Sequence, residues 1–201
     1  MRPQQTSLAL LVPAGALAVA VIVEPGPLPG ELAAVHRAQS WPEPFPTAAD
    51  WVWTVTSTEA ALLVMIAPAA WLIHRCRWHG AAAVAVAVLT MLVVQPVSKE
   101  LVDRPRPTAD QVDVRAEHSS MSFPSGHSMS TTTVWAAAAL LALGLQKRWL
   151  AGLLCVPIVL TAAASSVLGV HWPSDAVAGT LLGASAAIAI AAIARRRSPA
   201  T

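Results

Sequence analysis

Charged side chains are scarce in this chain. Asp, Glu, Lys and Arg make up 12% of its 201 residues, against about 25% in soluble globular domains. With 55% of residues hydrophobic and a mean hydropathy of +0.57, an ordinary cytosolic globule is excluded. Intrinsic disorder is excluded too, because so much Ala, Val and Leu does not stay solvated. Cysteine is nearly absent: Cys76 and Cys155 are too few for a disulfide framework and lack metal-ligand spacing. HExxH, a paired Cys-x2-Cys and a Walker loop are all missing, so no motif calls for a metal or a cofactor. The length suits one domain over residues 1–201.

What the chain has instead is long apolar runs. A helix needs roughly 17–25 apolar residues to cross a hydrocarbon core of about 30 Å. The candidate runs are Leu8–Val23, Trp51–Ile73, Gly80–Val97, Ser128–Leu145, Trp149–Val170 and Ala176–Ala194. The first is short and holds Pro13 and Gly15. Its Ala18-Val19-Ala20 resembles a secretory cleavage site, but direct passage into Glu24, Pro25 and Gly26 favours a retained span. Small residues crowd the later runs, which suits close helix contact in lipid. The fold expected is all-α, a bundle of six transmembrane helices.

Charge placement orients that bundle. With the N-terminus cytoplasmic, the inner segments are 1–7, 74–79, 146–148 and 195–201. They contain Arg2, Arg75, Arg77, Lys147, Arg148, Arg195, Arg196 and Arg197, eight of the thirteen basic residues, and none of the eleven acids. Basic residues retained in short cytoplasmic loops are the orientation rule, so both termini are expected inside. Trp51, Trp53, Trp71, Trp78, Trp149 and Trp172 lie near run ends, as an interfacial aromatic belt requires. Segment 24–50 carries six of the sixteen prolines and is expected as an outer loop. Glu31–Gln39 within it is expected as a short surface helix, a connector.

Three polar clusters then reach one face, the extracytoplasmic one. Lys99 and Arg106 follow the third run, Pro124-Ser125-Gly126-His127 precede the fourth, and His171-Trp172-Pro173-Ser174-Asp175 lie between the last two. Guanidinium is a planar fork that matches phosphate oxygens. Ser125 and Gly126 open a helix, where free N–H groups and the helix dipole favour an anion. His171 stands four residues before Asp175, which can accept a ring N–H and fix the tautomer, making the imidazole a competent nucleophile or base. His127 supplies a second imidazole able to protonate a leaving oxygen. Together these describe a phosphoryl-transfer site without a metal. Glu59, an acid inside the second run, is a site candidate by default. It is equally well a wet interfacial acid paired with a base such as Lys99. His36, Asp103 and His118 are loop residues without an assigned role.

Lys-x6-Arg-Pro, Pro-Ser-Gly-His and a final His-x3-Asp, in this order, resemble the three signatures of the type 2 phosphatidic acid phosphatase (PAP2) superfamily. The resemblance covers residues 99–175 in motifs and the whole chain in its six-span layout. It implies that His171 attacks phosphorus to form a phosphohistidine, oriented by Asp175. His127 would protonate the leaving group and then activate water. Lys99, Arg106 and the Ser125 and Gly126 amides would hold the phosphoryl oxygens. The implied partners are a phosphorylated lipid and the bilayer, with no nucleic acid and no cofactor. Candidate substrates are a polyprenyl (pyro)phosphate, phosphatidic acid, phosphatidylglycerol phosphate or a phosphorylated prenyl-sugar. One position departs from the pattern: the signature's Ser-Arg falls on Ala164 and Ser165. Arg104 or Arg115 is expected to replace the missing cation, or else rate or head-group preference has changed. A phosphotransferase using the same intermediate and a non-catalytic lipid-binding or transport relative are the rival functions.

Overall fold

Runs rich in Ala, Leu and Val with interior Pro confined to a few positions favour helix. The computed structural model describes residues 3–116 and 119–195, the side chains of Leu72, Cys76 and Arg77 apart, and every regular element among them is helical. Arg2, His118, Arg196 and Arg197 thus lie outside the described residues, as do the side chains of Cys76 and Arg77. The helices are α1 (Pro3–Val23), α2 (Glu31–Gln39), α3 (Phe45–Val55), α4 (Thr58–Leu89), α5 (Gln95–Val102), α6 (Gly126–Gly144), α7 (Arg148–Val167) and α8 (Pro173–Ala194). A π-helical turn, Thr90–Val94, joins α4 to α5. It sits directly ahead of Pro96, which has no N–H for a carbonyl four residues back.

Several expected boundaries shift. α1 begins five residues before Leu8. The run Trp51–Ile73 is two helices bent by 54°, because Ser57 caps α4 by accepting the Ala60 N–H at 3.1 Å. The proline-rich segment holds α2 as expected, but α3 also starts inside it, with Pro46 in the first turn where no N–H is required. Helical bonding continues through residues 74–79, where a loop was expected. The two halves of α4 nevertheless pack against each other. Met65 and Ala69 of the first half of α4 line the same groove as Ala83 and Ala87 of the second, and a straight helix would hold Met65 and Ala87 about 33 Å apart.

By length and composition, four helical stretches can cross a membrane: Pro3–Val23, Trp78–Val102, Arg148–Val167 and Pro173–Ala194. The bent pair Phe45–Val55 and Thr58–Arg75 raises this to five if it counts as one span. α6 does not qualify, because Ser128, Ser130, Thr131, Thr132 and Thr133 fill its first half. All five are buried inside the protein. Sequence counts α6 among the spans; in the structure its hydroxyl-rich first half is buried at the centre of the bundle.

Contacts fix the packing. α6 and α8 run parallel in close approach: a Cβ at Gly179 would lie 2.4 Å from the Ser125 carbonyl oxygen, and one at Gly183 2.5 Å from that of Met129. α7 returns the chain between them. α1 lies antiparallel along α8, with Ser7 Oγ donating to the Ser185 carbonyl at 2.9 Å and Val21 packed on Ala178. The N-terminal ends of α6 and α8 therefore meet at one end of the bundle, where α5 also ends.

Candidate active site

That shared end gathers all three polar clusters. Lys99, Arg106, Gly126, His127 and His171 line one cavity of about 160 Å³. Lys99 leaves the last turn of α5 and donates from Nζ to Ser120 Oγ at 3.2 Å and to the Met121 carbonyl. Arg106 donates to the Ser120 and Val170 carbonyls at 2.7 Å each, and its Nη1 lies 3.3 Å from His171 Nε2. Burial pulls the Arg106 guanidinium down to about 10, with the Asp175 charge opposing, so it remains cationic at neutral pH.

His171 is buried, between the end of α7 and the start of α8. Burial lowers its imidazole to about 4; Asp175 opposes this, while Arg106 and Lys99 add to it. The ring is neutral at neutral pH. Asp175 is buried at the third position of α8, where Oδ2 accepts the Trp172 N–H at 2.9 Å. His171 and Asp175 lie in contact across the four-residue turn. Nδ1 and Oδ2 stand 3.6 Å apart, and the Ser122 hydroxyl touches both from one side, 2.5 Å from Oδ2 and 3.2 Å from Nδ1.

Ser125 is the N-cap of α6, its Oγ accepting the Ser128 N–H at 3.4 Å. Its own N–H, expected at the phosphoryl oxygens, is donated to the Asp175 carbonyl at 3.0 Å. This ties α6 to α8 and leaves Gly126 as the first helical N–H beside the cavity, with no carbonyl one turn back to accept it. His127 follows, stacked on Trp53 with ring centroids 3.6 Å apart.

The two arginines expected to stand in at Ser165 do not. Arg104 is fully buried behind the site, held to Asp175 Oδ1 at 2.6 Å, Ser174 Oγ at 2.8 Å and Glu31 Oε2 at 2.7 Å. Arg115 pairs with Asp113 at 3.2 Å and does not line the cavity. Ser165 is itself buried and donates to the Ala162 carbonyl at 2.8 Å. Among the described residues, Lys99 and Arg106 are the cations that line the cavity.

Sequence reasoning missed other members. α2 is no mere connector, since Glu31 Oε1 also accepts the Ser174 N–H at 2.8 Å. His36 lies in that helix, not in a loop, with Nε2 2.8 Å from the Gln111 carbonyl. Trp53 and Trp172 are buried in place of joining the belt, whereas Trp51, Trp71, Trp78 and Trp149 are exposed. Residues two apart do not share a helix face, so the pair Trp51 and Trp53 could have flagged one as interior. Glu59, Thr58, Gln95 and Ser120 complete the cavity wall. Glu59 makes no ion pair with Lys99. No group of three or more His, Cys, Asp or Glu side chains converges as a metal site among the described residues.

Comparison with known proteins agrees with this geometry. A family model described as the PAP2 superfamily matches residues 78–199, and the chain belongs to that superfamily. It is similar to the crystal structure of a transmembrane PAP2-type phosphatidylglycerolphosphate phosphatase from Bacillus subtilis. The TM-score is 0.77 at 23% identity, over 92% of this chain and 94% of that one. It is also 42% identical over 94 residues to a decaprenylphosphoryl-5-phosphoribose phosphatase of two Mycobacterium tuberculosis strains, covering 43% of this chain. The match spans about half the length of those curated relatives, 46%.

Proposed function

We propose that the chain is an integral-membrane lipid phosphatase that hydrolyses a phosphate monoester or pyrophosphate of a lipid through a phosphohistidine at His171. The observation that carries this reading is the convergence of two imidazoles, Lys99, Arg106 and the first N–H of α6 on one small cavity. His171 Nε2, neutral and beside Arg106, attacks phosphorus. His127 protonates the departing oxygen, then takes a proton from the water that cleaves the N–P bond. Lys99, Arg106 and the Gly126 N–H stabilise charge building on the phosphoryl oxygens. No step requires a metal.

The bundle crosses the membrane six times, as α1, the two halves of α4 (the second continuing through α5), α6, α7 and α8. Neighbouring helices shield the polar half of α6. Both termini are cytoplasmic and the cavity opens to the extracytoplasmic side, supported by basic residues at the opposite end. The partial likeness to a phosphatase of a prenylated phosphoribose supports a phosphorylated prenyl-sugar as substrate, ahead of polyprenyl (pyro)phosphate, phosphatidic acid and phosphatidylglycerol phosphate.

The test is phosphate release by the purified protein in detergent against a panel of prenyl and glycerol phosphates, with and without EDTA. Wild-type turnover that persists in EDTA and is lost in both His171→Ala and His127→Ala is the expected result. Turnover surviving His171→Ala removes the proposed nucleophile, and loss in EDTA removes the metal-free mechanism. Hydrolysis of added substrate by sealed right-side-out vesicles reports the face.

A further inference from the structure

Ser122 carries no role in the mechanism above, yet it is fully buried at its centre. Its Oγ lies 2.5 Å from Asp175 Oδ2 and 3.2 Å from His171 Nδ1, while those two atoms are 3.6 Å from each other. The remaining partners fix the direction of each bond. Asp175 Oδ1 accepts from Arg104 and Oδ2 from the Trp172 N–H, so the carboxylate is ionised and only accepts. The Ser122 hydroxyl therefore donates to Oδ2, and a lone pair on the same oxygen faces Nδ1. Nδ1 must then carry the ring proton, and the free lone pair is left on Nε2. Arg106 Nη1, 3.3 Å from Nε2, is a donor and agrees with that tautomer.

We infer that Ser122 is a positioning residue that holds the His171 imidazole and the Asp175 carboxylate in register from one side of their contact. The inference rests on the reading of His171 as nucleophile. As Nε2 bonds to phosphorus, the bond to the leaving oxygen breaks with its electron pair, and that oxygen takes a proton from His127. The imidazole becomes cationic while Nδ1 keeps its proton, and the hydrogen-bonded chain of Asp175, Ser122 and His171 strengthens as that charge appears. Water then adds to phosphorus and gives a proton to His127. The N–P electron pair returns to Nε2, and the chain relaxes. A hydroxyl beside the carboxylate helps hold the charged ring without taking its proton.

The experiment compares Ser122→Ala, Ser122→Cys, Ser122→Thr, Asp175→Asn and the Ser122→Ala/Asp175→Asn double variant. The full-length protein is assayed in detergent on one lipid phosphate that the wild type hydrolyses. Steady-state kcat and KM are read together with acid-labile phosphohistidine trapped on rapid quenching. Positioning residues of this kind are worth about 10- to 100-fold. We expect that loss in kcat for Ser122→Ala and Ser122→Cys, with KM within about twofold and slower phosphohistidine formation. Ser122→Thr, which keeps the hydroxyl, restores most of the rate. The double variant loses less than the two single losses combined, since both groups act on the same imidazole. Ser122→Cys keeps the volume, so it decides the matter if Ser122→Ala does not fold.

Two results overturn the inference. One is wild-type kcat in Ser122→Cys, meaning that Asp175 orients the ring unaided. The other is additive loss in the double variant without rescue by Thr, meaning that Ser122 only fills space. Failure of the underlying reading looks different: His171→Ala would retain turnover, or the trapped phosphate would sit on another residue.

Discussion

The Trp53 indole lies flat on the His127 imidazole, with ring centroids 3.6 Å apart and planes 13° from parallel. Trp53 comes from α3 and His127 from the first turn of α6, so the bend between α3 and α4 delivers an aromatic wall to the proposed acid. Its edge also reaches His171, at 5.9 Å between centroids. Stacking holds a flat ring in place and favours it further when it carries charge. Trp53→Leu is expected to lower kcat about 3- to 30-fold, equivalent to about 0.5–2 kcal/mol, with Trp53→Phe in between. Initial rates on a fixed lipid phosphate measure this.

The buried imidazole sets a pH dependence. His171 is lowered by burial from 6.5 to about 4, so its nucleophilic lone pair persists well into the acid range. The acid limb of kcat/KM assigned to His171 is expected near 4, not near 6.5. The unfolded chain binds this proton first as pH falls, so stability drops from about 6.5 down to about 4 and levels off below. Thermal unfolding in detergent at a series of pH values tests this. His171→Asn should flatten the dependence across that window.

Arg104 joins α2 to α8 through two buried carboxylates, Glu31 at 2.7 Å and Asp175 at 2.6 Å. Removing one member of such a group leaves charge buried without a partner and costs about 3–5 kcal/mol. Arg104→Met is expected to lose that stability and, with it, turnover. Arg104→Lys keeps a charge but cannot reach both carboxylates with a fork, and its melting temperature should fall between those of Met and wild type.

Gly179 admits the α6 backbone against α8. A methyl group there meets the Ser125 carbonyl oxygen at 2.4 Å, so the helices must part, at a cost of about 1–3 kcal/mol. Gly152→Ala on α7 is the control, because nothing lies within 4 Å of the point where its methyl group would stand. The first change should lower the melting temperature in detergent and the second leave it unchanged or raise it.

Glu59 shares the cavity wall with Lys99 and Arg106. A carboxylate there repels the anion that the two cations attract. Glu59→Gln should tighten inhibition by inorganic phosphate about three- to fivefold at low salt, and less at high salt. An unchanged inhibition constant would place the Glu59 charge too far from the phosphate to matter.

The three motif clusters were legible because their chemistry is local: a cation pair, a capped helix start and a His-x3-Asp turn each announce themselves within a few residues. Ser122 was not, since nothing in Ser122-Phe123-Pro124 shows that its hydroxyl would reach His171 and Asp175, 49 and 53 residues further along. Arg104 misled for a related reason. Its charge suggested a phosphate ligand, but its direction depends on Glu31, 73 residues away in the chain. Hydropathy located the apolar runs well, yet missed the polar core of α6, because Ser and Thr buried against neighbouring helices look the same in sequence as Ser and Thr facing water.

The parallel course of α6 and α8 has a consequence for biogenesis. His127 is laid down when α6 begins, but His171 arrives only after α6 has carried the chain away and α7 has brought it back. On the proposed mechanism, a nascent polypeptide halted before the end of α7 holds one of the two reacting imidazoles and is chemically inert, and hydrolysis switches on only as the last helix packs into place.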